Sequence, residues 1–223
     1  MRSHFELAPA DYERQRSGHM HHRRVETIGE KLAGLSEGAL VVEVGSGSGH
    51  TLADCARLRP DLRFVGIEVD EQMVGYARGA HALPRLEFRL GEAENGLPSD
   101  AALVFCIDVL HHVRAVEAFA RSIATALRPG GRLLAIEPNR LNPYIWLHQE
   151  RMRRAGLDED HFRGRLWSEA LTRAGLEPEH RTLLSVIPGA IRAVPAPLVR
   201  LERMLERMPL LAGSVVLGFR RVG

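Results

Sequence analysis

Cysteine, lysine and aromatic residues are all scarce in this chain of 223 residues. Its two cysteines, Cys55 and Cys106, sit among apolar neighbours in segments of helical and strand character. That placement argues for buried inert thiols and against a disulfide framework or a thiolate zinc site. Lys31 is the sole lysine, so nearly all of the 30 basic side chains are arginine, and 28 acidic groups cancel them to a net charge of +2. Such a balance gives no reason to expect a nucleic-acid partner. No apolar run approaches the roughly 20 residues that span a bilayer. The first thirty residues are polar, rich in Arg and His, and without the apolar centre of a leader. A cytoplasmic enzyme or binding protein is the expected class.

What is present is a regular alternation. Hydrophobic residues make up 45% and charged residues 26%, an ordinary globular balance, and the length favours one domain with a full core over two. Short β-branched runs bounded by Gly and Pro alternate with stretches of helical period. Strands are expected at 39–45, 62–68, 85–90, 101–107, 132–137, 181–187 and 214–221. Helices are expected at 50–59, from Asp70 as N-cap, at 113–128, from Pro143 behind an Asn142 cap, and at 167–174 with Ser168 or the preceding turn as cap. This rhythm implies an α/β fold with a mostly parallel sheet and helices on both faces. Ligands of such sheets collect at the carboxyl ends of the strands, so functional residues are expected just after strands one to five.

The first of these turns is the most informative. Gly45-Ser46-Gly47-Ser48-Gly49-His50 carries alternating glycines, which let the backbone turn tightly and approach a ligand more closely than any Cβ permits. A dinucleotide fingerprint needs a small residue where His50 stands, leaving the helix N-terminus open to a pyrophosphate. The bulky imidazole disfavours that cofactor. A phosphate-free ligand with an amino-acid head and a ribose fits better. Glu68 ends the second strand about twenty residues beyond the glycines, the distance at which a carboxylate reaches vicinal ribose hydroxyls.

With Glu43 two positions before Gly45, the loop resembles the acidic-x-Gly-x-Gly-x-Gly motif of the class I S-adenosylmethionine-dependent methyltransferases of the small-molecule type. Four further stretches fall in that family's order. They are Val65-Gly66-Ile67-Glu68-Val69-Asp70, then Leu90-Gly91-Glu92-Ala93-Glu94 with Glu where the family has Asp, then Phe105-Cys106-Ile107-Asp108-Val109-Leu110-His111-His112, then Leu127-Arg128-Pro129-Gly130-Gly131. The resemblance covers about residues 39 to 137 and more weakly the rest. It implies a doubly wound, mostly parallel seven-stranded Rossmann-like sheet in one domain, 1–223. Segment 1–36 would be an N-terminal helical cap, with 138–164 and 188–212 as substrate-side insertions. It also implies S-adenosylmethionine as cofactor. Glu43 would then shape the loop, Gly45 would accept from the cofactor's amino group, and Gly47 and Gly49 would make room. Glu68 would hold the ribose, Val69 and Met73 would pack on the adenine face, and Glu92 with the Ala93 amide would meet the ring edge.

Methyl transfer from a sulfonium is an in-line displacement that a protein promotes chiefly by positioning. A base is needed only when the acceptor's proton must leave, and His111, His112 and Asp108 are the candidates after strand four. Tyr144 and His148 are candidates to line the pocket of a small-molecule or lipid-like acceptor. No metal is expected: the run containing His19, His21 and His22 has no carboxylate or thiol spaced to complete a site. Between strands six and seven, Leu198, Leu201, Leu205 and Met208 share one helical face, with Arg200, Arg203 and Arg207 towards others. The ordinary expectation is that this apolar face covers the core, ahead of contact with an anionic membrane or service as a lid. Two other functions share the sheet: an NAD(P)-dependent oxidoreductase, and a non-catalytic module that binds the cofactor.

Overall fold

A computed structural model describes residues 8–157, 160–188 and 191–223. Its seven strands form one sheet in the order β3-β2-β1-β4-β5-β7-β6. The strands β1 (Leu40–Val44), β2 (Arg63–Glu68), β3 (Leu86–Leu90), β4 (Ala101–Ile107) and β5 (Leu127–Pro138) pair in parallel. The last strand, β7 (Ser214–Arg221), runs antiparallel between β5 and β6 (Leu176–Leu184). Strand order reverses at β1 and β4, which opens a crevice at their carboxyl ends.

The alternating side chains of the central strands build two cores. Val104 and Cys106 of β4 face Phe119 and Ile123 of α5 (Val116–Ala126) and Trp167 of α7 (Gly164–Arg173). Leu103 and Phe105 face the other layer, made by α2 (His19–Leu32), α3 (His50–Leu58) and α4 (Glu71–Ala80), where Ile28, Leu52 and Val74 meet them. Each such fully buried large side chain is worth roughly 1.5–3 kcal/mol. A short helix, α1 (Pro9–Arg16), precedes α2. The remaining helices are α6 (Pro143–Arg154), after β5, and α8 (Ala196–Leu205), between β6 and β7.

Asp70 and Asn142 are side-chain caps as expected, each accepting from two backbone amides. Other boundaries differ. The fifth strand begins at Leu127, not 132, because Leu127 pairs with Ala101 before a bulge, and the ladder resumes at Leu103 and Arg132; α5 therefore ends at Ala126. The sixth strand spans Leu176–Leu184, not 181–187. An edge strand tolerates Pro178, and Ser185, Val186 and Ile187 leave the ladder because Glu206 and Glu202 take their amides. The helix expected at 167 begins at Gly164, so Ser168 lies in its interior and caps nothing.

The expectation for α8 is reversed. Its buried residues are acidic, Glu202 and, just beyond the helix, Glu206, while Leu198, Leu201 and Met208 stand about half exposed. The cause lies on α2: Arg23 makes a two-pronged bond to Glu206 at 2.9 and 3.0 Å, and His19 Nε2 lies 2.6 Å from Glu202. With cations and loop amides waiting inside, the carboxylates turn inward and the apolar side chains are left outside.

Candidate functional site

The glycine turn after β1 is held from below. The amides of Gly45 and Ser46 donate to the Ile67 carbonyl at 2.8 and 3.1 Å, and Gly47 donates to Glu68 Oε2 at 2.7 Å. Gly45, Gly47 and Gly49 all have positive φ, at 71°, 52° and 83°. Side chains are excluded by space as well: a Cβ on Gly49 would lie 2.6 Å from the Phe88 ring, and one on Gly45 would enter Val109.

Glu68 is the hub of this region. Its Oε1 accepts from the amides of Val69 and Asp70 at 2.8 and 3.0 Å, while Oε2 accepts from Gly47 alone. A carboxylate offers about four acceptor positions, so a single one remains, on Oε2. The two-hydroxyl grip expected from the sequence is thereby narrowed to that oxygen. Glu43 lies beneath, buried, with Oε2 unpartnered. Burial and then the charge of Glu68 push its carboxyl well above the usual range. Val69 is exposed on the rim, whereas Met73 is enclosed in the core. Glu92 accepts from Asn95 Nδ2 at 3.0 Å, and Ala93 opens a single 3-10 turn.

A second group forms after β4. Asp108 has φ of 55° and lies half-buried between arginines, with Arg24 and Arg16 donating to its Oδ2 at 2.8 and 3.0 Å. Burial opposes its ionisation, yet Arg24, Arg16 and His111 hold its pKa down to about 2. Its Oδ1 has no partner. His111 Nδ1 lies 2.7 Å from Glu137 Oε2, at the end of β5, and Glu137 Oε1 accepts from the amides of Val109 and Leu110 at 3.0 and 2.8 Å. A carboxylate engaged this way accepts, so Nδ1 is the donor to it. The His112 ring packs 3.9 Å from that of His111, centroid to centroid.

Two residues that sequence reasoning did not single out join the constellation. Glu137 carries a signal that was available, its place at the carboxyl end of a parallel strand. Tyr12 on α1 carries none; its ring lies over Gly47, where an added Cβ would be 3.5 Å from Cε1. Burial raises the Tyr12 phenol, with Arg16 opposing. Helix α1 is fastened across the crevice by Arg16 to Asp108 and by Glu13, 3.1 Å from His81.

The other candidates disperse. His19, His21 and His22 do not converge: His19 pairs with Glu202, and His21 pairs with Asp54 at 2.8 Å and packs on His50. His50 stands at the start of α3 with Nδ1 2.8 Å from Ser48 Oγ. Tyr144 stacks with His148 on α6 and is largely exposed. A cavity of about 660 Å³ lined by Glu37, Arg63 and Arg85 lies at the opposite, amino ends of β2 and β3 and shares no residue with these groups.

Residues 42–133 match a family profile described as a methyltransferase domain. A Mycolicibacterium smegmatis protein named as a probable S-adenosylmethionine-dependent methyltransferase is 34% identical over 124 residues, 53% of this chain and 46% of its own length. The ubiquinone biosynthesis O-methyltransferase of Aeromonas salmonicida is 32% identical over 130 residues, 56% of this chain and 52% of its own length. The chain thus spans about half the length of these curated relatives. Among solved structures, a chain of the complex between the Haloferax volcanii Trm112 methyltransferase activator and a methyltransferase superposes with a TM-score of 0.72 at 21% identity, covering 100% of both chains.

Proposed function

We propose that this chain, whose residues 42–133 match a methyltransferase-domain profile and whose fold is shared with a chain of a solved methyltransferase complex, binds S-adenosylmethionine and methylates a small, apolar or lipid-like acceptor. The observation that carries the reading is the clamp of Glu68 on Gly47 in a turn whose Gly45 and Gly49 have no room for a side chain. The donor set fits a nucleoside with a cationic amino-acid head: one acceptor position is left on Glu68 Oε2, Asp108 Oδ1 is unpartnered, and the faces of Gly47 and Tyr12 bound the cleft. A relative of this chain is named for ubiquinone biosynthesis, which supports an apolar acceptor. The pyrophosphate of a nicotinamide cofactor would meet His50.

S-Adenosylmethionine supplies a methyl group already activated by its positive sulfur. The chain's own residues bind, orient and exclude water. Glu68 fixes the turn and presents an acceptor, and α1 closes over the turn through Tyr12. Asp108, with a pKa of about 2, is charged at neutral pH; it fastens Arg16 and Arg24 and is too weak a base to take a proton. His111 is the better base for an acceptor hydroxyl, since an imidazole titrates near neutral pH and Glu137 orients this ring through Nδ1. His112 packs against it as a support.

The experiment is a screen of hydroxyl-bearing apolar acceptors with S-adenosylmethionine, read as S-adenosylhomocysteine and methylated product by mass spectrometry. Acceptor-dependent product, with His111→Gln lowering kcat about a hundredfold or more at unchanged KM for the cofactor, supports the reading. Cofactor binding with no turnover of any acceptor would favour the non-catalytic module, and saturable NADH binding would favour the oxidoreductase.

A further inference from the structure

Exposed large hydrophobic side chains are not scattered over this molecule. Among the described residues, eleven of the sixteen lie within 141–147 and 191–211, the two segments that follow β5 and β6 at the carboxyl edge of the sheet. On α8 and its continuation, Leu201, Met204 and Met208 recur at spacings of three and four and so form one stripe. Met204 is 71% exposed, while Glu202 on the opposite side is 2% exposed. The stripe is continuous with α6. Asn142 Nδ2 donates to the Leu211 carbonyl at 2.8 Å, and Asn139 Nδ2 donates to the carbonyls of Pro209 and Ala212 at 2.7 and 2.8 Å. Leu141 and Tyr144 therefore adjoin Leu210 and Leu211, all exposed.

The charges are sorted in the same sense. Glu202 and Glu206 are drawn inward, where His19, Arg23 and the amides of 185–187 hold them. Burial opposes ionisation of Glu202, but these hydrogen bonds outweigh it and keep its carboxyl below the ordinary range. On the outer side Arg200 and Arg207 flank the stripe, and Arg140 stands at the start of α6; all three are exposed, and among the described residues none has an acidic partner. Arg203 pairs with Glu26.

A face that is apolar in the middle and cationic at its edges, with its acids removed to the interior, matches an anionic bilayer surface. Leucine and methionine enter the acyl boundary while arginines snorkel to the phosphates. A second copy of the chain fits less well, since a two-fold contact would set the same arginines against one another. No described helix is long and apolar enough to cross a membrane, so the association is with the surface. We propose that the outer faces of α8, of 208–211 and of the start of α6 dock the protein on an anionic lipid bilayer. Resting on the functional reading above, such docking would bring the acceptor end of the sheet to the lipid phase; the docking itself does not depend on that reading.

The test is flotation of the full chain, without cofactor, on vesicles of phosphatidylcholine alone and of equal parts phosphatidylcholine and phosphatidylglycerol. Binding is expected only to the anionic vesicles and should weaken with salt. Arg200→Gln and Arg207→Gln should each lower partitioning about fivefold. The double variant Leu201→Gln, Met204→Gln should lower it about tenfold or more, with melting temperature and cofactor affinity unchanged because these side chains are exposed. Absence of binding to anionic vesicles, or equal binding to both kinds, would overturn the proposal. So would a wild-type dimer in sedimentation velocity that the double variant converts to monomer, since the face would then belong to a second copy. Because the cofactor is absent from the assay, failure of the methyltransferase reading leaves the result intact, and the reverse holds as well.

Discussion

Along β1 to β4 the helices turn Leu52, Val74 and Phe119 inward, and of the acids buried there, Glu43 and Glu68, the second holds the glycine turn. On α6 and α8 the arrangement is inverted. Helix α6 buries Gln149 and exposes Tyr144 and Leu147, and α8 buries Glu202 and exposes Met204. Both regions crown one edge of one sheet, yet the first is cemented by apolar burial and the second by charge pairing. The difference teaches that hydrophobic period alone does not say which face of a helix is inside; the partner surface decides.

The comparison is tested most severely by truncations on each side. Phe105→Ala, in the first region, should cost about 3–5 kcal/mol through its cavity. Glu202→Ala, in the second, should cost about 3–5 kcal/mol because His19, the Ser185 hydroxyl and the amides of Val186 and Ile187 lose their acceptor. Urea melts at neutral pH measure both, and a loss under about 1 kcal/mol for Glu202→Ala would remove the basis for calling that region charge-cemented.

Next in size is an acid effect at the turn itself. Burial, then His21 and Arg16, lower the His50 pKa to about 3. A histidine whose folded value lies below its unfolded value is neutral in the fold, so its contribution is full above about pH 6.5. It is lost progressively as pH falls towards 3. Wild-type stability should therefore decline over that window, and His50→Gln should flatten the curve there without altering the further loss near pH 2 to 4 that the depressed Asp108 contributes.

Smaller again, Tyr12→Ala should weaken S-adenosylhomocysteine binding several-fold and lower the melting temperature less than Phe105→Ala does, because Tyr12 is only half-buried. Titration calorimetry separates the two effects. The smallest change belongs to Met204→Gln, which should leave folding stability within about 0.5 kcal/mol, in contrast to Phe105→Ala.

Legibility in the sequence followed the range of the interaction. The glycine turn, Glu68, the Asp70 cap and the Asn142 cap are local patterns and stand where the spacing puts them. Seven strands were placed by their apolar runs, but the sixth was displaced because Ser185 to Ile187 answer to carboxylates on α8 and not to the sheet. His111 was visible, whereas its partner Glu137 lies 26 positions away. The pairing of Arg23 with Glu206 spans 183 positions, and no periodicity reports a contact at that distance. The inward turn of α8 could not be read without it.

The most direct measurement is a calorimetric titration of S-adenosylhomocysteine into wild type and Glu68→Gln, which replaces one of the two accepting oxygens by an NH2 donor. Saturable one-site binding to wild type, weakened at least about tenfold in the variant while the variant still melts cooperatively, is the predicted result. Equal affinity in the two proteins, or no binding to wild type at all, would contradict the claim that this turn and its carboxylate form the nucleoside site.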